Sequence, residues 1–274
     1  MLPVLIILLW QCWSDVVADT CFRAIVGFVG PGSLVINSNN TENMPDPDFL
    51  TKLDLFADLE PEALTVICRV TRLIRLHRDE RIFSQGELAK CAYALLEGGV
   101  RIVQTGADGG QSINRFIAPG EIFGVVPLFT DHRYPADAIA LGPSLILCWH
   151  EQDLLILVER FPRIAINMIR IIGARLNLAQ HRTHELATQR AGQRIAHTLL
   201  RLCEQMGSQV DNVTTAIDIP LRRKDLAEIS GTTLHTASRT LSAWEKAGYL
   251  LSCEQRLLIC NRTAIENIAN EVSD

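Results

Sequence analysis

Between Arg72 and Trp149 the chain is broken by glycines into short apolar runs, and few folds tolerate that texture. The runs LIRLH, RIFSQG, CAYALLEGG, VRIVQT, INRFIAPG, EIFGVV, AIALG and SLILCW each have the length of a strand. Gly86, Gly98-Gly99, Gly109-Gly110, Gly120 and Gly142 separate them at intervals of about ten residues. A helix does not persist through such punctuation, whereas strands joined by tight turns do. The pattern predicts an antiparallel β-roll or barrel. Asp108-Gly109, between VRIVQT and SINRFI, is the strongest hairpin signal in it.

Helical periodicity flanks this region. From Pro47 to Val70 the apolar positions Phe49, Leu50, Leu53, Phe56, Leu59, Leu64, Ile67 and Cys68 fall into two short segments, with Glu60-Pro61 opening the second. From Asp153 a short helix, DLLILVERF, is stopped by Pro162, and a long one runs from about Arg163 to beyond Leu186. Along it Met168, Ile172, Leu176, Ala179, Thr183 and Leu186 are spaced 4, 4, 3, 4 and 3. So narrow a seam points to a helix meeting its twin in a homodimer; ordinary packing on the roll is the alternative. A further helix carries Ile195, Leu199, Leu200 and Leu202 and ends near Gly207.

Charge divides the chain. Residues 1–159 hold 11 Lys/Arg against 20 Asp/Glu, a balance of −9, and residues 160–274 hold 15 against 11, a balance of +4. Within 160–203 stand eight arginines, with Glu185 the sole acid. An acidic half joined to a basic half suggests that the second meets a polyanion; a solvated basic helix is the alternative. With 48% apolar residues a proper core can form, and no run of about 18 uncharged apolar residues reads as a membrane span. The eight cysteines, at 12, 21, 68, 91, 148, 203, 253 and 260, form no C-x-x-C pair and read as reduced, buried thiols of a cytoplasmic protein. The opening MLPVLIILLWQCWSDVVADT resembles a secretory signal but lacks a basic start. Residues 1–43 are expected to be an upstream extension, with Met44 the working initiator; an export signal and a short tether are the alternatives.

The segment IDIPLRRKDLAEISGTTLHTASRTLSAWEKAGYLLSCEQRLLIC, residues 217–260, is the most informative. Leu226, Ala227 and Ile229 define a short helix, and Gly231 ends it where a reversal needs positive φ. Thr232 or Thr233 caps the next helix, whose buried face is expected at Leu234, Ala237, Leu241 and Trp244, with His235, Thr236, Ser238 and Arg239 on the other. This is the layout of a DNA-reading helix-turn-helix. YLLS, a polar tip at Glu254-Gln255-Arg256 and LLIC then make a wing.

Over roughly residues 47–270 the chain resembles the Crp/Fnr family of bacterial transcription regulators. The likeness is carried by APGEIFG with a following PLF, the long helix after RFP, TLLRLCEQ, and KDLAEISGTTLHTASRTLSAWEKAGYL. HRYPADAIA, GTTLHTASR and LSAWEKAGYL look most like the family's nitric-oxide-responsive denitrification regulators. The resemblance implies an α+β fold: an N-terminal antiparallel β-roll like a cyclic-nucleotide-binding domain, a long dimerisation helix and a C-terminal winged helix-turn-helix. The expected bounds are 1–45 for an extension outside the fold, 46–152 for the roll, 153–190 for the short and long helices, and 191–274 for the DNA-binding domain. It also implies a cytoplasmic homodimer on a palindromic double-stranded DNA operator, RNA polymerase as a partner, and a small effector.

The family's sensing chemistries can be compared position by position. Cyclic-nucleotide binders place a Glu after the Gly of the FGE-like turn and an Arg-Ser pair about ten residues on; here those places hold Val125 and Pro135-Ala136, with Arg133 two positions early. That argues against cyclic nucleotide, which stays the alternative effector. Cys12 and Cys21 cannot supply the clustered cysteines of an iron–sulfur branch. Haem stays open as a cofactor, with His77, His132, His150, His181 and His184 as conceivable axial ligands and Pro45 as a remote one.

On the DNA side, Arg239 lies where the family's arginine reads guanine, a job suited to its fork. Thr236 and Ser238 are short donors, and His235 replaces the Glu of the best-known members, so the half-site is expected to differ from theirs. Arg222, Arg223, Lys224, Thr233, Lys246 and Arg256 are expected phosphate contacts. An enzyme is the competing class, yet the chain has no close H-x-H metal motif with a following Glu, G-x-S-x-G, Walker loop or Rossmann fingerprint. A β-roll effector module whose helix-turn-helix no longer reads DNA is the other rival.

Overall fold

The chain places its β-branched and aromatic runs in two facing antiparallel sheets, as the glycine punctuation requires. The computed structural model describes residues 41–42 and 47–271, apart from 212, 254 and 255. Strands β1 (Thr41–Glu42), β2 (Arg72–Leu76), β9 (Ser144–His150), β4 (Cys91–Glu97) and β7 (Ile122–Phe123) form one sheet in that order. Strands β3 (Arg81–Phe83), β8 (Asp137–Ala140), β5 (Val100–Thr105) and β6 (Gln111–Ile117) form the other. The expected hairpin joins β5 to β6, with Gly109 at φ +79° in its loop. At the β4–β5 turn Gly98 has φ +88°, and a Cβ there would stand 2.5 Å from the Pro143 carbonyl, so the position accepts glycine only.

Helices α1 (Pro47–Leu50) and α2 (Pro61–Val70) close one side of the roll. Trp149 is the centre of that packing: its ring meets Phe56 edge-on at 5.4 Å, and its Nε1 donates to Thr71 Oγ1 at 2.8 Å. Inside the roll, Phe83 stacks on Tyr134 at 3.8 Å, beside Tyr93 and Phe123. Of the cyclic-nucleotide anchor positions, Val125 and Ala136 are buried, Pro135 is exposed and none carries a charge, while Arg133 donates to the Gly86 carbonyl at 2.7 Å.

After β9 come α3 (Glu151–Arg160) and the long helix α4 (Arg163–Thr188), followed by α5 (Ala191–Met206). The last domain adds a sheet ordered β10 (Gly207–Gln209), β11 (Thr215–Ile217), β13 (Arg256–Ile259), β12 (Leu250–Cys253), with helices α6 (Arg223–Ile229), α7 (Leu234–Lys246) and α8 (Arg262–Ala269). Val103, Ile113, Phe116 and Leu141 of the roll pack into the same apolar cluster as Ile195, Leu199, Ile219 and Leu226. The two halves therefore share a core. Among the described residues no helix is long and apolar enough to cross a membrane.

Several expectations shift. Thr41 and Glu42, assigned to the extension, pair with Ile74 and Leu73 of β2. Residues 1–40, with Cys12 and Cys21, and Met44 and Pro45 lie outside the described residues. Along the seam of α4, Met168 is 7% exposed because it packs into its own roll, whereas Ile169 is 70% and Leu176 58% exposed. Leu186 lies against Gly231 of the same chain. The free face of α4 keeps Ile172, Leu176, Ala179, Thr183 and Leu186 of the predicted seam, loses Met168, and extends toward the helix start through Ile169 and Ile166.

The long helix is seated by Asn167, whose buried amide donates to the carbonyls of Leu55 at 3.1 Å and Ala57 at 2.8 Å. Asn167→Ala removes both donors and leaves acceptors without partners, at a cost of about 1–3 kcal/mol. Urea unfolding should show that loss as a lower midpoint with an unchanged slope; an unchanged midpoint would mean that the amide does not seat the helix.

Candidate nucleic-acid interface

A helix-turn-helix needs two short helices and a reversal whose exposed carbonyls find donors. Here Asp225 begins α6, accepting from the Arg222 backbone N–H at 3.1 Å. The helix ends at Ile229, Gly231 takes φ +59°, and a Cβ there would meet Leu186 Cδ2 at 2.5 Å. Thr233 then caps α7, its Oγ1 accepting from Thr236 N at 3.1 Å. The threonine-capped start and the glycine reversal are both where the residue types placed them.

The carbonyls of that reversal are satisfied by arginines from elsewhere. Arg182 of α4 donates to Ile229 O at 2.9 Å. Arg194 of α5 donates to Ser230 O and Gly231 O, each at 2.9 Å, and to Gln189 O at 2.7 Å. Cations at a helix C-terminus also favour the helix dipole. The basic stretch 160–203 is largely consumed in this way: Arg163 pairs with Asp58, Arg175 donates to Ile122 O, and Arg201 pairs with Glu185 at 2.6 Å. The arginines that suggested a polyanion partner are mostly internal braces. Nothing in their spacing distinguished the two uses.

On α7, Ala237, Leu241 and Trp244 are buried as expected, but Leu234 is 51% exposed. The first turn projects from the domain before the helix reaches the core. His235 and Arg239, four residues apart, are exposed on the same side, and Thr236 and Ser238 are half-buried beside them. Thr236 Oγ1 is 3.0 Å from Thr233 Oγ1. The wing pairs Cys253 with Arg256, and its tip residues Glu254 and Gln255 lie outside the described residues.

The six expected phosphate contacts divide into distinct environments. Lys246 and Thr233 are exposed. Lys224 forms a 3.5 Å ion pair with Glu228, and Arg256 a 3.8 Å pair with Asp218, both with exposed heads. Arg223 is partly exposed but engaged: it staples α6 to α7 through Ser238 O at 3.2 Å, Ser242 Oγ at 2.9 Å and Glu245 Oε2 at 2.9 Å. Arg222 reaches across to the roll, with Asp79 Oδ1 at 2.8 Å and Oδ2 at 2.9 Å. Asp79 also accepts from Arg101, whose other nitrogen holds the buried Asp225 at 2.8 Å. Sequence reasoning missed this Asp79–Arg101–Asp225 chain because its members stand far apart along the chain.

The histidines are dispersed. His77, His181 and His184 are exposed, and His132 lies 3.2 Å from Glu151. His150 Nδ1 is 3.4 Å from Cys91 Sγ, and burial, reinforced by Arg72, holds its pKa below the ordinary histidine value. Among the described residues no group of three His, Cys, Asp or Glu side chains could hold a metal ion.

Residues 73–161 match the family described as the cyclic nucleotide-binding domain, and residues 193–268 match the Crp-like helix-turn-helix domain. The chain is similar to the cyclic AMP receptor protein of Thermus thermophilus, 28% identical over 194 residues that span 71% of this chain and 86% of that one. It is likewise similar to the nitrogen fixation regulation protein FixK of Azorhizobium caulinodans, 28% identical over 192 residues, covering 70% of this chain and 76% of the relative. The solved structure of FixK2 from Bradyrhizobium japonicum has the same fold, with a TM-score of 0.65 at 23% identity, covering 74% of this chain and 100% of that one.

Arg194 gives the test of the brace. Arg194→Met keeps the apolar stem but leaves the Ser230 and Gly231 carbonyls without that donor, and it should destabilise the last domain by about 2–3 kcal/mol. Hydrogen exchange should report faster amides in α6 and α7, with the roll unchanged. Equal protection in both proteins would show that the guanidinium does not hold the turn.

Proposed function

The chain belongs to the Crp/Fnr family of DNA-binding transcription regulators, and from that premise we propose that it acts as a homodimer on a palindromic operator and answers a small effector. The observation that carries the operator reading is the free ridge of α7: exposed His235 and Arg239, with Thr236 and Ser238 beside them, on a helix whose opposite face is buried. Arg239 supplies the forked donor that suits guanine O6 and N7. Lys246, Thr233, Lys224 and Arg256, all exposed, supply phosphate contacts without sequence information. Arg222 joins them only when released from Asp79. Such a protein works beside the chromosome in the cytoplasm, with RNA polymerase as its further partner.

The dimer reading rests on α4. Ile166, Ile169, Ile172 and Leu176 leave an apolar face exposed, with Ala179 and Thr183 continuing it. A second copy of the helix buries it, and twofold symmetry then presents two α7 ridges to two half-sites.

For the effector, cyclic nucleotide is disfavoured by the apolar, buried Val125 and Ala136 and by the aromatic filling of the roll. A nitric-oxide response through haem requires an axial ligand. A cleft between the roll, α4 and the last domain is lined, among the described residues, by no His, Cys, Met or Tyr, so those residues offer haem no axial ligand there. An ultraviolet–visible spectrum of the purified chain, with and without nitric oxide, tests this: a Soret band that shifts would restore the haem reading.

Competition gel shifts across single-base operator variants test the base contacts. Arg239→Ala should lose discrimination at one G·C pair per half-site, about 1–3 kcal/mol per contact and roughly double on the full palindrome. Lys246→Ala should weaken all variants equally and flatten the salt dependence. The same uniform loss for both would remove Arg239 from base reading, and no shift on any DNA would favour a module that no longer reads it. Leu176→Glu would bury a charge against its symmetry mate at several kcal/mol, so sedimentation should find monomers with a folded roll. A surviving dimer would place the interface elsewhere.

A further inference from the structure

A cleft of about 580 Å³ opens between the roll, the long helix and the DNA-binding domain. Phe116 and Ile122 come from the roll, Ile171 and Leu178 from α4, and Leu202 and Ile229 from the last domain. These walls are apolar. Into the same space face Arg115, Arg170, Arg175, Arg182 and Arg201 against the carboxylates of Asp54 and Glu121 and, beside Arg201, Glu185.

The charges do not balance. Arg115 is paired with Glu121, and Arg201 with Glu185. Arg175 has only the Ile122 carbonyl, and Arg182 only the carbonyls of Asn114 and Ile229. Burial, and then the neighbouring Arg115 charge, push the Arg175 guanidinium down to about 10, with Glu121 opposing. Burial, and then Arg201, lower Arg182, with Glu185 opposing. Arginine keeps its proton in proteins, and among the described residues neither Arg175 nor Arg182 has a carboxylate at ion-pair distance, so two charges without a paired counterion stand in a half-enclosed apolar space. A buried charge in that position is expensive until an anion joins it.

We infer that this cleft is a binding site for a small organic anion with an apolar body, its charged end between Arg175 and Arg182. The inference rests on the effector reading above and names that effector's chemistry. The volume suits a ligand of that size. An anion also competes with the carbonyls for Arg182. That guanidinium ties the roll, through Asn114, to the end of α6, through Ile229. Occupancy therefore biases the position of the helix-turn-helix against the roll, which is how a ligand shifts a two-state equilibrium. The cleft residues 171, 175, 178 and 182 and the free apolar residues 169 and 176 lie on roughly opposite sides of α4 at about 3.6 residues per turn, and Ala179 stands where the dimer face meets the rim of the cleft.

Calorimetry on the full chain tests the site with three probes: 1-naphthoate, its neutral counterpart 1-naphthalenemethanol, and inorganic phosphate. Naphthoate should bind once per chain, at least tenfold more tightly than either other probe. Arg175→Gln and Arg182→Gln should each weaken it tenfold or more, and Arg190→Gln, outside the cleft, should not. Because an arginine variant can fail to fold, Glu121→Gln gives the opposite sign: removing a carboxylate and freeing Arg115 should tighten naphthoate several-fold. Equal binding of the neutral alcohol, undiminished binding by both folded arginine variants, or weaker binding by Glu121→Gln would each overturn the inference. Calorimetry requires no DNA, so a chain that fails to shift any operator still reports on the cleft. That failure would count against the regulator reading alone.

Discussion

The turn of the helix-turn-helix depends on guanidinium groups that do not belong to it. A seven-residue helix such as α6 is too short to be stable by itself. Its last carbonyls point into the body of the protein, where water cannot serve all of them. Arg182 and Arg194 supply the missing donors at Ile229, Ser230 and Gly231. The position of α7, and with it His235 and Arg239, follows from where α4 and α5 hold those two side chains. A change in the roll that moves α4 therefore reaches α7 through hydrogen bonds as well as through packing.

A second link runs from the roll to the start of α6. Arg101 holds Asp225, which itself caps the helix, and Asp79 shares itself between Arg101 and Arg222. Asp79 adopts φ +60°, an uncommon conformation for a residue with a side chain. Its carboxylate there occupies Arg222, the residue that precedes α6. The two ends of α6 are thus tied to the sensor side by separate sets of charges, one at Asp79 and one at Arg182. Both ties are electrostatic and partly exposed to the cleft or solvent. Ligands and polyanions compete for such contacts more readily than for an apolar core.

The roll interior explains why the family's usual anchor does not transfer. Val125 and Ala136 leave no carboxylate or guanidinium to orient a cyclic phosphate, and Phe83, Tyr93, Phe123 and Tyr134 fill the space with rings. Polarity is displaced outward to the cleft against α4, where, among the described residues, Arg175 and Arg182 hold backbone carbonyls and no carboxylate at ion-pair distance. The same roll architecture can therefore present its charged surface at a different place.

Local chemistry in the sequence determined the strand-and-glycine texture of residues 72–149, the stop at Pro162, the reversal at Gly231 and the Thr233 cap, because each depends on a few neighbouring residues. It also determined the helix-turn-helix with its wing, and the buried Ala237, Leu241 and Trp244. The tertiary structure alone decided which way each cation faces. Arg223 and Lys224 are neighbours of the same charge, yet one staples α7 and the other stands in solvent. Met168 and Ile169 are adjacent and both apolar, yet one belongs to the roll and the other to the free face. A rotation of about 100° per residue separates such neighbours on a helix, and periodicity reads that rotation only to within a residue. Long-range partners such as Asp79 for Arg222, or Asn114 for Arg182, are fixed when the roll and the last domain share their core, and no spacing along the chain encodes them.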